Sequence, residues 1–336
     1  MESSSDTLLS VEDLKVHFVG DGPVARAVDG VSFQVRRRET VCIVGESGCG
    51  KTVTALAILG LLKRPPAVIA GGRITFDGRD LLEMAPPDLR ALRGSRIGMI
   101  FQEPMTSLNP VFTIGDQIGE AILAHTRLAA ADLRERIVEL LDDVGIADSQ
   151  ARLGDYPHQL SGGQRQRVMI AMALGGDPDL VIADEPTTAL DVTVQAQILS
   201  LLKSLKQRRQ MAVQYITHDL GVVAAIADQV YVMYAGLVVE QGPAGRIFDA
   251  ARHPYTRALL QALPTRAKRG QRLYSIPGGV PHPAYKPGGC PFHPRCKHRQ
   301  SSCVTEVPVL CDYGGGHKAR CPVLFAARNR TGEGRP

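Results

Sequence analysis

Two glycine-rich loops with the composition of phosphate cradles lie far apart in this sequence. Residues 45–52, Gly-Glu-Ser-Gly-Cys-Gly-Lys-Thr, fit the pattern GxxxxGK[ST] and follow an apolar run that is typical of a buried strand. In such a P-loop, backbone N–H groups and the N-terminus of the next helix face the phosphates. The pattern predicts that Lys51 reaches the β- and γ-phosphates of a nucleotide and that Thr52 places its hydroxyl on Mg²⁺.

The second loop, Leu-Ser-Gly-Gly-Gln at 160–164, precedes another helix-like stretch. One polypeptide rarely needs two phosphate cradles for one nucleotide, whereas two copies that face each other do need them. The spacing of the loops therefore predicts that the chain is one half of an ATP-driven clamp.

Polar residues follow several of the predicted strands. Asp184-Glu185 comes after the buried run at 180–183, where Asp184 would hold Mg²⁺ and Glu185 would polarise the attacking water. Adjacent carboxylates at a strand end are often only a turn with a helix cap, but a P-loop in the same chain favours the catalytic interpretation. Gln102 could contact Mg²⁺ or the lytic water, and His218 the γ-phosphate. A lone Gln or His is more often structural, so the order along the chain is what gives these two weight.

The elements that must position these groups alternate between strands and helices. Short strands are predicted at 8–18 and 31–35 in an antiparallel opening, and buried strands at 40–44 and 212–217. Helical spacing over 114–144 predicts an inserted helical subdomain before the second loop. The pattern as a whole predicts an α/β fold with a parallel sheet and ligands at the strand ends.

Composition limits the compartment and the partners. The 336 residues are 44% hydrophobic, and they contain no apolar run of about 18 residues and no basic N-terminal signal. We therefore expect a soluble, cytosolic protein. The net charge is +5, yet the residues from Pro264 onward hold 13 Lys and Arg against 3 Asp and Glu. Such a basic tail indicates nucleic acid, lipid headgroups or an anionic cofactor, or else only a solvated basic surface.

Most of the cysteines lie in the same tail, at Cys290, Cys296, Cys303, Cys311 and Cys321. In a reducing compartment such clustering favours metal ligation over disulfides. The spacing matches neither the close pairs of zinc sites nor the bacterial ferredoxin run. Spacing alone leaves a metal site and free thiols open.

The motifs occur in the order P-loop, Gln102, residues 160–164, Asp184-Glu185, Asp191 and His218. Over about residues 8–242 this order resembles the ATP-binding subunits of ABC transporters. The resemblance implies the P-loop NTPase fold of an ABC ATPase, with an antiparallel β subdomain and with ATP and Mg²⁺ as cofactors. It also implies a head-to-tail dimer, in which the second loop of one subunit faces the γ-phosphate held by Lys51 of the other.

Pattern and resemblance together imply the site residues. The implied catalytic residues are Glu185, His218 and Gln102, and the implied Mg²⁺ ligands are Thr52, Gln102 and Asp184. Phe18 lies where the family stacks an aromatic ring on adenine, and Asp191 lies in the loop that crosses the dimer interface. The nucleotide-binding set is Phe18, Gly45, Ser47, Gly48, Cys49, Gly50, Lys51, Thr52, Gln102, Ser161, Gly162, Gly163, Gln164, Asp184 and Asp191.

Cys49 stands where many members of that family have Ser. A helix N-terminus can lower the pKa of a thiol, although a tolerated small residue is the simpler interpretation.

Longer matches resemble the oligopeptide/dipeptide importer branch, at residues 101–110, 188–197, 253–259 and 289–296. This branch implies ATP hydrolysis that powers uptake of di- or oligopeptides at the cytoplasmic face of the cell membrane. It implies a second ATPase subunit, two transmembrane permease subunits and an extracytoplasmic solute-binding protein. The alternatives are a nickel or other small-solute importer and a non-transport ABC ATPase acting on nucleic acid. The basic tail mildly favours the last, but the sequence lacks a long coiled-coil insertion and a duplicated core, so we expect no nucleic-acid partner.

The same branch implies a [4Fe–4S] cluster on Cys290, Cys296, Cys303 and Cys321, with zinc or no metal as alternatives. Domain boundaries follow from the motifs and the charge. We expect an ABC domain at 1–263, with its helical subdomain at about 103–174, and a basic Cys-rich C-terminal extension at 264–336.

Overall fold

The computed structural model describes residues 6–103, 107–188, 190–264 and 274–323. These residues fall into two compact units. The first is formed by the described residues within Met1–Leu8, Val35–Glu39 and Glu83–Ile216, and the second by those within Leu9–Gln34, Thr40–Leu82 and Thr217–Pro336. Some residues of the sequence motifs lie outside the described residues, namely Pro104, Met105, Thr106 and Ala189.

The strands, in chain order, are β1 Thr7–Phe18, β2 Ala25–Arg36, β3 Thr40–Val44, β4 Ala67–Phe76, β5 Arg79–Asp80, β6 Ile97–Ile100, β7 Leu180–Asp184, β8 Ala212–Thr217, β9 Gln229–Tyr234, β10 Leu237–Pro243, β11 Cys311–Asp312 and β12 Lys318–Ala319. The α-helices are α1 Lys51–Ile58, α2 Pro86–Leu92, α3 Ile114–Leu123, α4 Ala130–Asp143, α5 Ser149–Arg152, α6 Gly162–Ala173, α7 Val192–Arg209, α8 Leu220–Ile226, α9 Ala244–Ala250, α10 Pro254–Ala262 and α11 Ser302–Thr305.

In the second unit, a buried parallel pair of strands carries the P-loop. Every residue of β3 is buried, and β3 pairs in parallel with β9, with Val41 opposite Gln229 and Val44 opposite Val232. A continuous apolar run is what a strand covered on both faces requires. Strand β9 turns back into β10 through Ala235 and Gly236, both with positive φ, which is the backbone of a type I′ hairpin.

The first strand of the chain lies in an antiparallel ladder. Strand β1 pairs with β4 so that Leu9 lies opposite Phe76 and Phe18 opposite Ala67. The ladder is irregular at Lys15, and Gly72 lies in this irregular stretch with φ +96°. A Cβ on Gly72 would lie 2.5 Å from the Cα of Leu14, so the close approach of the two strands requires glycine there.

In the first unit, three parallel strands end at one edge. Strand β7 is buried along its whole length and lies between β6 and β8, with Ile97 opposite Leu180 and Leu180 opposite Ala212. Because parallel strands end on the same edge of a sheet, Gln102 and Asp184 come to that edge together. The α/β fold class is confirmed.

The helical segment of the first unit is divided rather than continuous. The pattern over 114–144 predicted one helical stretch, but α3 ends at Leu123 and α4 begins at Ala130. A capping box between Thr113 and Asp116 starts α3, whose buried face packs on α4 and α6. The described helices include none that is long and apolar enough to cross a membrane.

The described part of the tail extends the sheet of the second unit. Strand β12 pairs antiparallel with β10, and β11 pairs with β12. Behind this edge the buried carboxylate of Glu240 lies 2.7 Å from Nε2 of His317, and it also accepts the backbone N–H of His253 at 2.9 Å. Partners separated by 77 residues therefore hold the tail to the body of this unit.

His253, which caps α10, makes the stability of this unit dependent on pH. Its Nδ1 accepts the backbone N–H of Tyr255 at 3.1 Å, and burial lowers the pKa of the imidazole to about 4. Because the folded pKa lies below the unfolded value, the unfolded chain takes up the proton first, and stability is lost as the pH falls from about 6.5 toward 4. We expect His253 to account for roughly 2–3 kcal/mol of the fall in unfolding free energy between pH 7.5 and pH 4.5.

Urea titrations of the wild type and of His253→Asn at the two pH values measure this contribution. The variant is expected to have a flatter pH dependence by about that amount. His298→Asn, which changes an exposed imidazole of the tail, is the matched control and should keep the wild-type slope. Equal slopes for His253→Asn and the wild type would contradict the assignment.

Candidate nucleotide site

The P-loop connects β3 to α1 and already holds its lysine in place. The Nζ of Lys51 donates to the carbonyl oxygens of Gly45 at 2.8 Å and Glu46 at 3.2 Å, and the residue is 5% exposed. The hydroxyl of Thr54 donates to the carbonyl of Gly50 at 2.9 Å, which fixes the first turn of α1. The loop therefore presents a desolvated ammonium beside a helix N-terminus, an arrangement suited to phosphate.

Glycine at position 50 is required for two separate reasons. Its φ is +100°, a conformation that residues with a side chain rarely adopt, and a Cβ would lie 2.5 Å from the carbonyl oxygen of Ala27. We expect Gly50→Ala to lower the free energy of unfolding by about 2–3 kcal/mol, since strain and a backbone clash act together.

Gly48→Ala is the control for that prediction. Gly48 also has positive φ, at +81°, but no atom lies within 4 Å of its would-be Cβ, so only the conformational cost of about 1 kcal/mol applies. Urea unfolding of both variants without nucleotide separates the two contributions. Equal losses for the two variants would mean that the contact with Ala27 relaxes.

Cys49 is a buried thiol of the P-loop. Burial raises the pKa of this thiol, and this effect outweighs the lowering by the nearby charge of Lys51. The lowered pKa considered from the sequence is therefore not found, and the structure favours a small packed residue at this position.

The first unit brings Gln102 and Glu185 together. Asp184 is the last residue of β7 and is buried, whereas Glu185 follows with φ 47°, in the left-handed region. The backbone N–H of Glu185 donates to the carbonyl of Ile216 at 2.9 Å. Its Oε2 accepts from Nε2 of Gln102 at 3.3 Å. A non-glycine residue held in this conformation by its neighbours is a common feature of functional sites.

Thr188 is a residue that the sequence reasoning missed. Its hydroxyl donates to the same Oε2 of Glu185 at 3.0 Å, so it helps to fix the carboxylate. In the sequence, the signal was a hydroxyl residue three positions after an acid at a strand end. This pattern is too common for the sequence alone to mark Thr188 as a functional residue.

The second glycine-rich loop forms the start of α6. Ser161 is the N-cap, its hydroxyl accepts the backbone N–H of Gln164 at 3.3 Å, and Oε1 of Gln164 accepts the N–H of Ser161 at 2.9 Å. This capping box leaves Ser161 and Gly162 exposed at the end of a helix of 12 residues. A Cβ on Gly163 would lie 2.8 Å from Val194, so the loop packs closely on α7.

The remaining site residues have identifiable local positions. Asp191 caps α7, and its carboxylate accepts the backbone N–H groups of Thr193 and Val194 at 3.0 and 2.9 Å. Phe18 ends β1 in a half-buried position, and His218 is exposed directly after β8. The interface role of Asp191, the adenine contact of Phe18 and the γ-phosphate contact of His218 stay predictions.

The predicted [4Fe–4S] cluster on Cys290, Cys296, Cys303 and Cys321 is wrong. Among the residues that the structure describes, no group of three or more His, Cys, Asp or Glu side chains is placed to hold a metal ion. Burial raises the pKa of the Cys290 and Cys296 thiols. Cys321 is buried, and its backbone carbonyl accepts from the hydroxyl of Tyr313 at 3.4 Å.

Two family models match the chain. One, described as ABC transporter, matches residues 28–188, and the other, described as Oligopeptide/dipeptide transporter, C-terminal region, matches residues 239–303. The second match spans the end of the sheet and much of the cysteine-containing tail.

Curated relatives match along almost the whole chain. The probable peptide ABC transporter ATP-binding protein y4tR of Sinorhizobium fredii is 52% identical over 318 residues, which cover 94% of this chain and 95% of that protein. The dipeptide transport ATP-binding protein DppD of Escherichia coli is 51% identical over 314 residues, which cover 94% of this chain and 96% of that protein.

The fold is also that of a solved structure. The dimeric post-hydrolysis state of the ATP-binding cassette MJ0796, bound to ADP and Pi, matches with a TM-score of 0.63 and 26% identity, covering 70% of this chain and 99% of that one. The motifs and the fold of this chain agree with those of its relatives. The chain therefore belongs to the ATP-binding subunits of ABC transporters, in the branch that carries the oligopeptide/dipeptide transporter C-terminal region.

Proposed function

We propose that this chain hydrolyses ATP to power the uptake of di- or oligopeptides through a membrane complex. The observation that carries the proposal is the presence of an ABC ATPase and the oligopeptide/dipeptide C-terminal region in one chain. Two relatives share about half of their residues with this chain along almost their whole length. They are named as peptide and dipeptide transport proteins, which supports the same solute class here.

The site residues have the following proposed roles. The P-loop backbone from Gly45 to Thr52 and the ammonium of Lys51 bind the phosphates. Glu185 accepts a proton from the attacking water, and Gln102 orients that carboxylate through the hydrogen bond of 3.3 Å between them. His218 contacts the γ-phosphate, and Phe18 stacks on adenine.

Mg²⁺ fits the donors that the motifs supply. Thr52, Gln102 and Asp184 offer a hydroxyl, an amide and a carboxylate oxygen, which are the hard ligands that this ion prefers. When bound, Mg²⁺ neutralises charge on the β- and γ-phosphates. We assign these three residues on the order of the motifs and on family membership.

The proposed complex contains further chains. ATP binds in a dimer in which Ser161, Gly162, Gly163 and Gln164 of one ATPase subunit face the γ-phosphate bound to the other. That second subunit is a homologous chain or a second copy. Two transmembrane permease subunits, an extracytoplasmic solute-binding protein and a position at the cytoplasmic face of the membrane complete the assignment. Within the chain we propose a boundary at 263/264 between the ABC domain and the C-terminal extension.

Solute-stimulated ATPase activity tests the proposal. The membrane complex is reconstituted in vesicles with its solute-binding protein, and ATP turnover is measured with mixed short peptides in one arm and a nickel chelate in the other. We expect stimulation by the peptides. Stimulation only by nickel, or by neither, would keep the ATPase and discard the solute class.

A further inference from the structure

The P-loop residue Glu46 is held at both its backbone and its side chain. Its N–H donates to the hydroxyl oxygen of Tyr255 at 2.9 Å. Its carboxylate accepts from Nη1 of Arg295 at 2.6 Å and from Nη2 of Arg295 at 3.0 Å, a two-pronged ion pair. Arg295 is 249 residues further along the chain, in the tail. The second residue of the P-loop is therefore anchored by the C-terminal region.

The guanidinium that makes this contact is itself fixed. The side chain of Arg295 is 5% exposed, its Nε donates to the carbonyl of Pro277 at 2.8 Å, and its Nη1 also donates to the hydroxyl of Tyr234 at 3.3 Å. Several N–H groups of the guanidinium are thus used in one rigid arrangement, which is the property that distinguishes arginine from lysine.

A cluster of three aromatic rings packs beside the ion pair. The rings of Tyr234, Tyr255 and Phe292 lie against one another, with centroids between 4.7 and 5.3 Å apart. The guanidinium carbon of Arg295 lies 5.8 Å from the ring centre of Tyr234 and 5.9 Å from that of Phe292. Burial raises the pKa of Tyr234 and of Tyr255, so both keep their hydroxyl protons.

The anchor acts on the group that the proposed function places at the phosphates. The carbonyls of Gly45 and Glu46 are acceptors of the Lys51 ammonium, so the orientation of residue 46 sets where that ammonium lies. The charge matters as well. Without its partner, the Glu46 carboxylate would be an uncompensated negative charge within the loop that receives a polyanion.

We propose that Arg295 is a positioning residue for ATP binding, which holds the P-loop in its phosphate-receiving conformation and neutralises Glu46. The inference rests on the proposed role of residues 45–52. A loop that is ordered before the nucleotide arrives has less conformational entropy to lose on binding, so its affinity is higher. The residues that bind the phosphates belong to the ABC motifs, and the C-terminal region contributes a contact that positions them.

Equilibrium titration of the full-length chain with a fluorescent ATP analogue and Mg²⁺ tests the proposal. We expect Arg295→Ala to raise the Kd about tenfold and Arg295→Lys, which keeps the charge but not the two-pronged geometry, about threefold. In the double variant Glu46→Gln with Arg295→Ala the repulsive charge is gone, so the Kd should return to within about threefold of the wild type. Arg299→Ala removes an exposed charge of the same segment and should leave the Kd unchanged.

The pattern of the variants separates positioning from stability. Thermal unfolding of each variant is measured in parallel. A purely structural role of Arg295 would lower the Tm of both Arg295→Ala and the double variant, and the Kd of the double variant would not recover. Wild-type affinity in Arg295→Ala, or no recovery in the double variant, would overturn the proposal. Lys51→Ala is measured as a further arm. Normal ATP binding by this variant would contradict the P-loop assignment itself. Loss of ATP binding in Lys51→Ala together with wild-type affinity in Arg295→Ala would contradict only the inference about Arg295.

Discussion

The variant Glu185→Gln is expected to lose ATP turnover by at least a hundredfold while its ATP affinity changes by less than about threefold. The amide has nearly the shape of the carboxylate, so its oxygen can still accept from Gln102 and from Thr188, which lie 3.3 and 3.0 Å from Oε2. The left-handed backbone at residue 185 is held by the bond to Ile216 and does not depend on the charge. What is removed is the proton acceptor.

The measurement is the ATP turnover number of the reconstituted complex together with the Kd for the fluorescent ATP analogue. Glu135→Gln, which neutralises an exposed acid on α4, is the matched control and should keep both values. Thr188→Val tests the support of the carboxylate and should lower turnover by a smaller factor, about tenfold or less. Wild-type turnover in Glu185→Gln would contradict the role of Glu185 as the base.

The buried strands were the most predictable part of the fold. The predicted strands Thr40–Val44 and Ala212–Thr217 agree with the structure at both ends, and every residue of both is buried. A strand covered on both faces is mostly apolar, which makes it easy to recognise, although Ala212–Thr217 also buries the amide of Gln214. The same reasoning located Asp184 and Gln102, since the groups that follow such strands meet at one sheet edge.

Elements without that pattern were missed or given the wrong extent. Strand β4 was not predicted, because Gly71 and Gly72 interrupt its sequence and Gly72 is required by close contact with Leu14. The break at 124–129 in the helical segment was also not predicted, because the helical spacing of apolar residues continues on both sides of it.

The tail shows that a resemblance can mislead about a site. The resemblance implied a cluster on its cysteines, whereas the contacts that the structure shows between the tail and the rest of the unit include the ion pair of Arg295 with Glu46 and the pair of His317 with Glu240. Both join residues that are far apart in the sequence, and no local pattern specifies such a partner. The basic charge of the tail is likewise used in part within the chain, at Arg295 and at Lys286, which lies 3.4 Å from Asp29.

Lys51→Ala is expected to raise the Kd for ATP at least a hundredfold, which corresponds to about 2.7 kcal/mol. Lys51 begins α1, is 5% exposed and holds its ammonium against the carbonyls of Gly45 and Glu46. A unit charge about 4 Å from a phosphate contributes roughly 4 kcal/mol at the effective dielectric of a protein surface, so the expected loss is within reach of this one group.

The titration compares Lys51→Ala with Lys203→Ala, which removes an exposed ammonium from α7 and should bind ATP as the wild type does. Because the side chain of Lys51 also bonds to the loop backbone, the loop of the variant should be less ordered without nucleotide, and faster hydrogen exchange of residues 45–50 would report this change. A Kd within threefold of the wild type would mean that the pattern at 45–52 marks a structural turn. A hundredfold loss with unchanged unfolding free energy would assign the effect to the missing charge, because a damaged fold would lower both quantities.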